Sequence, residues 1–382
     1  MANRNARFRC PRQFRSPPRP ELKSVSQDET NHSRSSHWPG KTFWLALLVI
    51  PLLAILVWSL WSEHHPEQER ELRIEIQDRL ETWFPEGMRL PEGLLGFVPR
   101  SAHFAESDPP NVIMLHGLDE PGGIFDELAK AFDEAGINSW EFRYPNDQAI
   151  DHSADLLAEH WGGLENGQPV ILVGHSMGGL VIRDFVSRHR HPVDAEPRVT
   201  GPEVRGVIQV ATPNQGSEWA RLRAWLEVRE LFTDIAEREF SLFAGLRDGT
   251  GAAKIDLRPD SAFLTELNAR PWPEAVPIRI FGGFIAEATE PMRDSLTALG
   301  QSIDPDLARQ LQTWWQETGE QVGDGAVAVE SLAIEGQPEP IILPASHRGL
   351  LVSLPLADGP PPAIEPVVEK IRSWQKDFRH DD

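Results

Sequence analysis

The chain has 382 residues, a formal net charge of −21 and a single cysteine, Cys10. So acidic a balance argues against nucleic-acid binding and for solubility, and a lone cysteine excludes an intramolecular disulfide. Neither a Cys/His zinc spacing nor a P-loop nor a dinucleotide fingerprint occurs, so no metal and no cofactor is expected.

Residues 1–42 hold nine Lys/Arg against three Asp/Glu, with many Pro and Ser; such a basic leader is expected to be disordered. Phe43–Trp61 follows, nineteen residues with Ser59 the only polar one. At about 1.5 Å per residue it nearly spans a bilayer core of about 30 Å. Trp44, Trp58 and Trp61 lie near its ends as an aromatic belt would, and Pro51 is tolerated in a membrane helix. Residues 62–82 then carry seven acidic and three basic side chains.

This Lys/Arg bias predicts a cytoplasmic N-terminus and an exported remainder. A cleaved signal ending near Val57-Trp58-Ser59 is the rival, but the apolar run exceeds the usual h-region of about 7–15 residues. A retained signal anchor over 43–61 is therefore expected, followed by a juxtamembrane helical linker over 62–89. The sequon Asn31-His32-Ser33 falls on the cytoplasmic side. With no other sequon and no disulfide, the expected setting is a bacterial inner membrane, with the rest of the chain facing the periplasm.

Residues 90–382 read as one large α/β domain. Strands are expected near 112–115, 138–143, 170–173, 204–210, 277–281 and 340–343. Between them lie helical stretches. In Gly123–Ala135 the residues Phe125, Leu128, Ala129 and Phe132 recur at helical spacing, and another run passes through Ile150, Ala154, Leu157 and Trp161. Tyr144–Asp147 reads as a structural turn. Strands alternating with helices imply a mostly parallel sheet covered on both faces.

The most informative segment is Gly174-His175-Ser176-Met177-Gly178-Gly179, directly after the apolar run Pro169–Val173. This G-x-S-x-G pattern, set between a strand and a helix, forces Ser176 into a strained turn with its hydroxyl above the sheet edge. Glycine is needed on both sides because a Cβ there would collide. The helix from Met177 to Arg190 pairs Val181 with Phe185 and Ile182 with Val186.

A serine nucleophile needs a base, nearly always histidine. Of the thirteen histidines, four follow Ser176: His189, His191, His347 and His380. The first two end the helix after the elbow and His380 lies in the charged tail. His347, just after the strand-like Pro340–Leu343, is the candidate. Its carboxylate partner is expected at Asp324, in Gly323-Asp324-Gly325, where an Asx-turn is the alternative reading. Asp294, Asp304, Asp306 and Glu320 are the competitors. Two backbone N–H groups must face the developing oxyanion. Met177, after the nucleophile, supplies one, and Leu118, after the strand Asn111–Leu115 and His116-Gly117, the other. His116 reads as a loop organiser.

These motifs resemble those of α/β-hydrolases of the lipase/esterase type, close to bacterial triacylglycerol lipases and inositol-deacylase-like hydrolases. In the resemblance, His116–Leu118 is the oxyanion loop, Gly174–Gly179 the nucleophile elbow, and Ala211–Ser217 the segment after the sixth strand. Gly323–Val327 is then the acid loop and Ser346-His347 the base loop. It covers roughly 90–376 and departs in the forty or so residues between the strand at 277–282 and Asp324.

Glu218–Leu246 and Thr289–Thr318 are rich in apolar residues and could cap the site with helices suited to an acyl chain, or could simply pack. The expected function is a membrane-anchored serine hydrolase acting on ester or lipid-like small molecules. The alternatives are an acyltransferase or amidase with the same triad, or a silent hydrolase fold used as an interaction module.

Overall fold

The computed structural model describes residues 41–91, 93–118, 123–164, 168–218, 247, 249–285, 323–354 and 359–381. The leader with Cys10 and the Asn31 sequon lies outside the described residues, as do both expected caps apart from Glu218. The chain forms two units, residues 1–58 and 59–382.

In the first unit the described part is the start of α1 (Lys41–His64), a helix of 24 residues. Part of the transmembrane span expected over Phe43–Trp61 lies outside the described side chains; among the described residues no helix is long and apolar enough to cross a membrane. The side chains of residues 41–48, 51, 52 and 55 are outside the description.

The second unit is built on seven strands: β1 (Gly96–Pro99), β2 (Val112–Leu115), β3 (Ser139–Arg143), β4 (Val170–His175), β5 (Val204–Val210), β6 (Ile278–Gly283) and β7 (Ile341–Leu343). Their order is β1-β3-β2-β4-β5-β6-β7. All neighbours are parallel except β1, which runs antiparallel to β3 with Gly96 opposite Arg143. The helices are α2 (Pro66–Trp83), α3 (Pro85–Met88), α4 (Asp126–Glu134), α5 (Ile150–Trp161), α6 (Met177–Phe185), α7 (Ala252–Asp256), α8 (Ala262–Ala269) and α9 (Ile364–Asp381). Beyond α6 the chain widens into a π-helical turn, Val186–Arg190.

Side-chain alternation along the strands divides the core in two. Val112 and Met114 pack with Leu128 and Phe132 of α4 and Val367 and Ile371 of α9. Ile113 and Leu115 face the other way, onto Leu157 and Trp161 of α5 and Leu180 and Phe185 of α6. Burying each such side chain stabilises by roughly 1.5–3 kcal/mol, and burial on both faces makes the central strands continuous apolar runs. β2 has β3 on one side and β4 on the other. The chain therefore leaves β2 and β4 around one crevice, the switch point where doubly wound sheets hold their sites.

The stretch expected as a linker forms α2 and α3, and α2 lies on α7 through buried charges. Arg70 donates to Asp256 at 2.5 Å and to Asp151 at 2.7 Å. Arg258 donates to the Ser62 carbonyl at 3.2 Å and to Ser62 Oγ at 2.9 Å, and pairs with Glu69 at 3.4 Å. Burial pushes Asp256 up to about 7, outweighing the neighbouring Arg70 guanidinium.

Candidate active site

The β4–α6 junction is as tight as its sequence implies. Ser176 sits at φ 54° and ψ −129°, a region a residue with a Cβ rarely enters and one that stores strain. A Cβ on Gly178 would come within 2.2 Å of the Leu115 carbonyl oxygen, and one on Gly174 within 2.5 Å of the Gly179 backbone. No side chain fits at either position. The Ser176 N–H is held by the Val210 carbonyl at 2.8 Å. Met177 opens α6, so its N–H has no partner within the helix, and its side chain is fully buried.

The chain leaving β2 closes over this junction. A Cβ on Gly117 would lie 2.7 Å from Ser176 Cβ and 3.2 Å from its Oγ. Leu118, the other expected oxyanion donor, is the next residue and is buried. The His116 ring turns back on its own loop, Nδ1–H donating to the Gly117 carbonyl at 3.1 Å.

Asp324 and His347 come together after β6 and β7. His347 Nδ1–H donates to Asp324 Oδ2 at 2.8 Å, and Asp324 is 1% exposed. Its other oxygen accepts the N–H groups of Ala326 and Val327 at 2.9 and 2.8 Å. The Ala211–Ser217 segment braces this loop: Ser217 Oγ–H donates to the Ala326 carbonyl, and the Gln215 N–H donates to that of Ser331.

His175 links the elbow to the base loop. Its Nε2–H donates to the His347 carbonyl at 3.2 Å, and the two rings lie 4.8 Å apart. Burial and the nearby His347 hold it well below the ordinary imidazole value, so it stays a neutral Nε2–H donor.

His189 pairs with Asp155 at 2.9 Å and His191 Nε2 accepts the Val204 N–H at 3.2 Å; both are occupied away from the crevice. His380 falls in α9, its side chain outside the described residues, and so do Asp294, Asp304, Asp306 and Glu320.

Tyr144, expected in a plain turn, instead donates its Oη–H to the His116 carbonyl at 2.5 Å. Its partner is a backbone oxygen twenty-eight positions earlier, which leaves no trace in residue type.

Solved structures to which the chain is similar include the mature lipase of Bacillus licheniformis, at 15% identity over 71% of this chain and 97% of that one, with a TM-score of 0.42. Staphylococcus hyicus lipase aligns at 12% identity over 74% and 100%, with a TM-score of 0.48. A phospholipase from Legionella pneumophila aligns at 17% identity over 72% and 65%, with a TM-score of 0.42. No curated protein matches the sequence. The sequence profile of the alpha/beta hydrolase family matches residues 112–355, more than half of the chain, and the protein belongs to that family.

Proposed function

We propose that this protein is a serine hydrolase that cleaves carboxylic esters, with lipid-like esters as its substrate class. The observation that carries the reading is the 2.8 Å contact between Asp324 and His347. The strained serine of the β4–α6 turn supports it. Ser176 Oγ attacks the ester carbonyl while His347 Nε2 takes the hydroxyl proton, and Asp324 steadies the imidazolium. The Met177 and Leu118 N–H groups hold the tetrahedral oxyanion. Collapse breaks the bond to the alcohol, which leaves with the proton from His347. Water, deprotonated by the same histidine, then attacks the acyl-enzyme and releases the carboxylic acid.

A fluorophosphonate probe tests the reading directly: wild type should be labelled and Ser176→Ala should not. Ester turnover by Ser176→Ala should fall by about 10⁴- to 10⁶-fold; turnover within tenfold of wild type would sink the assignment. Profiling acyl chains with water and with alcohol as acceptor separates esterase, lipase and transferase.

Attachment to a membrane through Phe43–Trp61 is the second part of the reading, with the catalytic unit exported. It rests on the sequence: one polar residue in nineteen, and basic residues before the run with acidic ones after it. A periplasmic reporter fused after Asp382 should be active and a cytoplasmic one silent. A soluble product beginning near Leu60 would show a cleaved signal instead.

A further inference from the structure

We propose that Tyr144 is a positioning residue of the oxyanion site, pinning the His116–Gly117 peptide so that the Leu118 N–H is aimed at the reacting carbonyl. The inference rests on the serine-hydrolase reading above and extends it to a residue outside the triad and its two N–H donors.

β2 and β3 are adjacent and parallel, with Leu115 opposite Phe142. The chain leaves both strands side by side, His116 one residue past the pair and Tyr144 two. The Tyr144 ring stacks on the His116 ring at 4.6 Å and 15°. The Phe142 ring is stacked with that of Tyr144 too, at 5.8 Å and 16°. This three-ring stack fixes the phenol, and its Oη–H reaches the His116 carbonyl at 2.5 Å. Tyr144 is 3% exposed, and burial raises its phenol far above the ordinary value, so the proton stays in place as a donor.

The loop needs such a pin. A Cβ on Gly117 would crowd Ser176, and a glycine leaves both flanking peptides free to rotate. The Leu118 N–H belongs to the next peptide, whose Gly117 carbonyl accepts the His116 Nδ1–H at 3.1 Å, and the ring that makes this bond is itself stacked on Tyr144. The His116 carbonyl is held from outside. The Tyr144 hydroxyl bonds to it. Gly178 also lies against it, since a Cβ there would come within 2.5 Å of that oxygen. The clamp thus joins the peptide before the oxyanion loop to the helix that opens at Met177.

Tyr144→Phe keeps the stack and removes only the donor. Losing an oxyanion donor outright costs about 10²–10³ in turnover; a donor left present but misaimed should cost about 10- to 100-fold in kcat. In the full chain, with a p-nitrophenyl ester as substrate, that fall should come with KM within about twofold, because the ground-state ester leans little on the site. A merely structural role would instead lower the fraction of labelled enzyme and leave kcat per labelled site unchanged; that result, or kcat within twofold of wild type, overturns the proposal.

A second measurement needs no variant. Tyr144 is the only tyrosine in the sequence, so the chain grown with 3-fluorotyrosine gives one ¹⁹F resonance. Phosphonylation of Ser176 puts a P–O oxygen in the oxyanion site and should shift that resonance. A resonance that does not move overturns the proposal and leaves the serine reading intact. A wild-type chain that neither hydrolyses nor labels removes both.

Discussion

Asp324 and His347 are bonded to each other twice. The His347 backbone N–H donates to the Asp324 carbonyl at 2.9 Å, and the ring Nδ1–H donates to Asp324 Oδ2 at 2.8 Å. Asp324 Oδ1 meanwhile accepts the N–H groups of Ala326 and Val327. One side chain thus closes its own Asx-type loop and holds the imidazole, two roles that look like rivals in the sequence. The loop bonds orient the carboxylate, and the carboxylate orients the ring.

That double use sharpens the outcome of Asp324→Asn. The two loop N–H groups require an oxygen at the Oδ1 position, so the amide nitrogen must face His347. A donor there favours the wrong imidazole tautomer, and turnover of a p-nitrophenyl ester should fall about 10⁴-fold while the fold persists. Near-normal turnover in a folded variant would mean that the carboxylate acting on His347 lies elsewhere, with Asp294, Asp304, Asp306 and Glu320 as the next residues to change.

What the sequence makes legible is chemistry tied to local turns. The elbow announces itself because only Gly-x-Ser-x-Gly fits between β4 and α6, and His347 and Asp324 stand out as the right residue types beside strand ends. Features made by distant pairing are silent. β1 is four residues long and ends in proline, so only its partner β3 makes it a strand. β4 runs on through Gly174 and His175 beyond the apolar residues that advertise it. Tyr144 binds a carbonyl, which every residue has. Glu69, Arg70 and Arg73 look like solvated helix charges, yet Arg70 and Glu69 meet Asp256 and Arg258 nearly 190 positions away.

Gly117→Ala separates precision from stability. The new methyl would sit 2.7 Å from Ser176 Cβ, so the loop must shift away from the elbow to admit it. A small misplacement of this kind should lower kcat by about 10- to 100-fold with little change in melting temperature. Gly178→Ala meets the Leu115 carbonyl at 2.2 Å instead. Backbone there cannot yield, and overpacking should destabilise by about 1–3 kcal/mol or more. Thermal melts and kcat on both variants check the contrast; equal effects on both readouts would refute it.

Asp256 gives the fold a definite pH dependence. Its carboxyl rises to about 7 in the native state from 3.8, so the folded protein holds this proton more tightly than the unfolded chain. The resulting stabilisation is full below about pH 4 and is lost as pH rises through about 7. Arg70 faces the carboxyl from α2, Asp151 lies beside it on α5, and the Ile150 N–H donates to it at 2.9 Å. Urea unfolding at pH 5 and pH 8 should show wild type losing more stability over that interval than Asp256→Asn. Equal losses would mean that Asp256 is ionised throughout.

The same buried charges set where the chain can be cut. Removing residues 1–58 takes away none of the partners of Arg258 or Asp256, because Ser62, Glu69 and Arg70 remain. Removing residues 1–83 takes all three. Asp256, whose side chain is fully buried, then loses Arg70, and Arg258, 8% exposed, loses Glu69 and Ser62. Breaking the buried Arg258 pair from one side costs about 3–5 kcal/mol, a large part of the whole stability of a typical domain, about 5–15 kcal/mol. The chain starting at Ser59 should therefore melt cooperatively and keep ester turnover within about threefold of the full chain. The chain starting at Phe84 should aggregate or lack a cooperative transition. If the shorter chain folds and turns over normally, α2 is an accessory to the catalytic unit and its buried charges find water or other partners when it is gone.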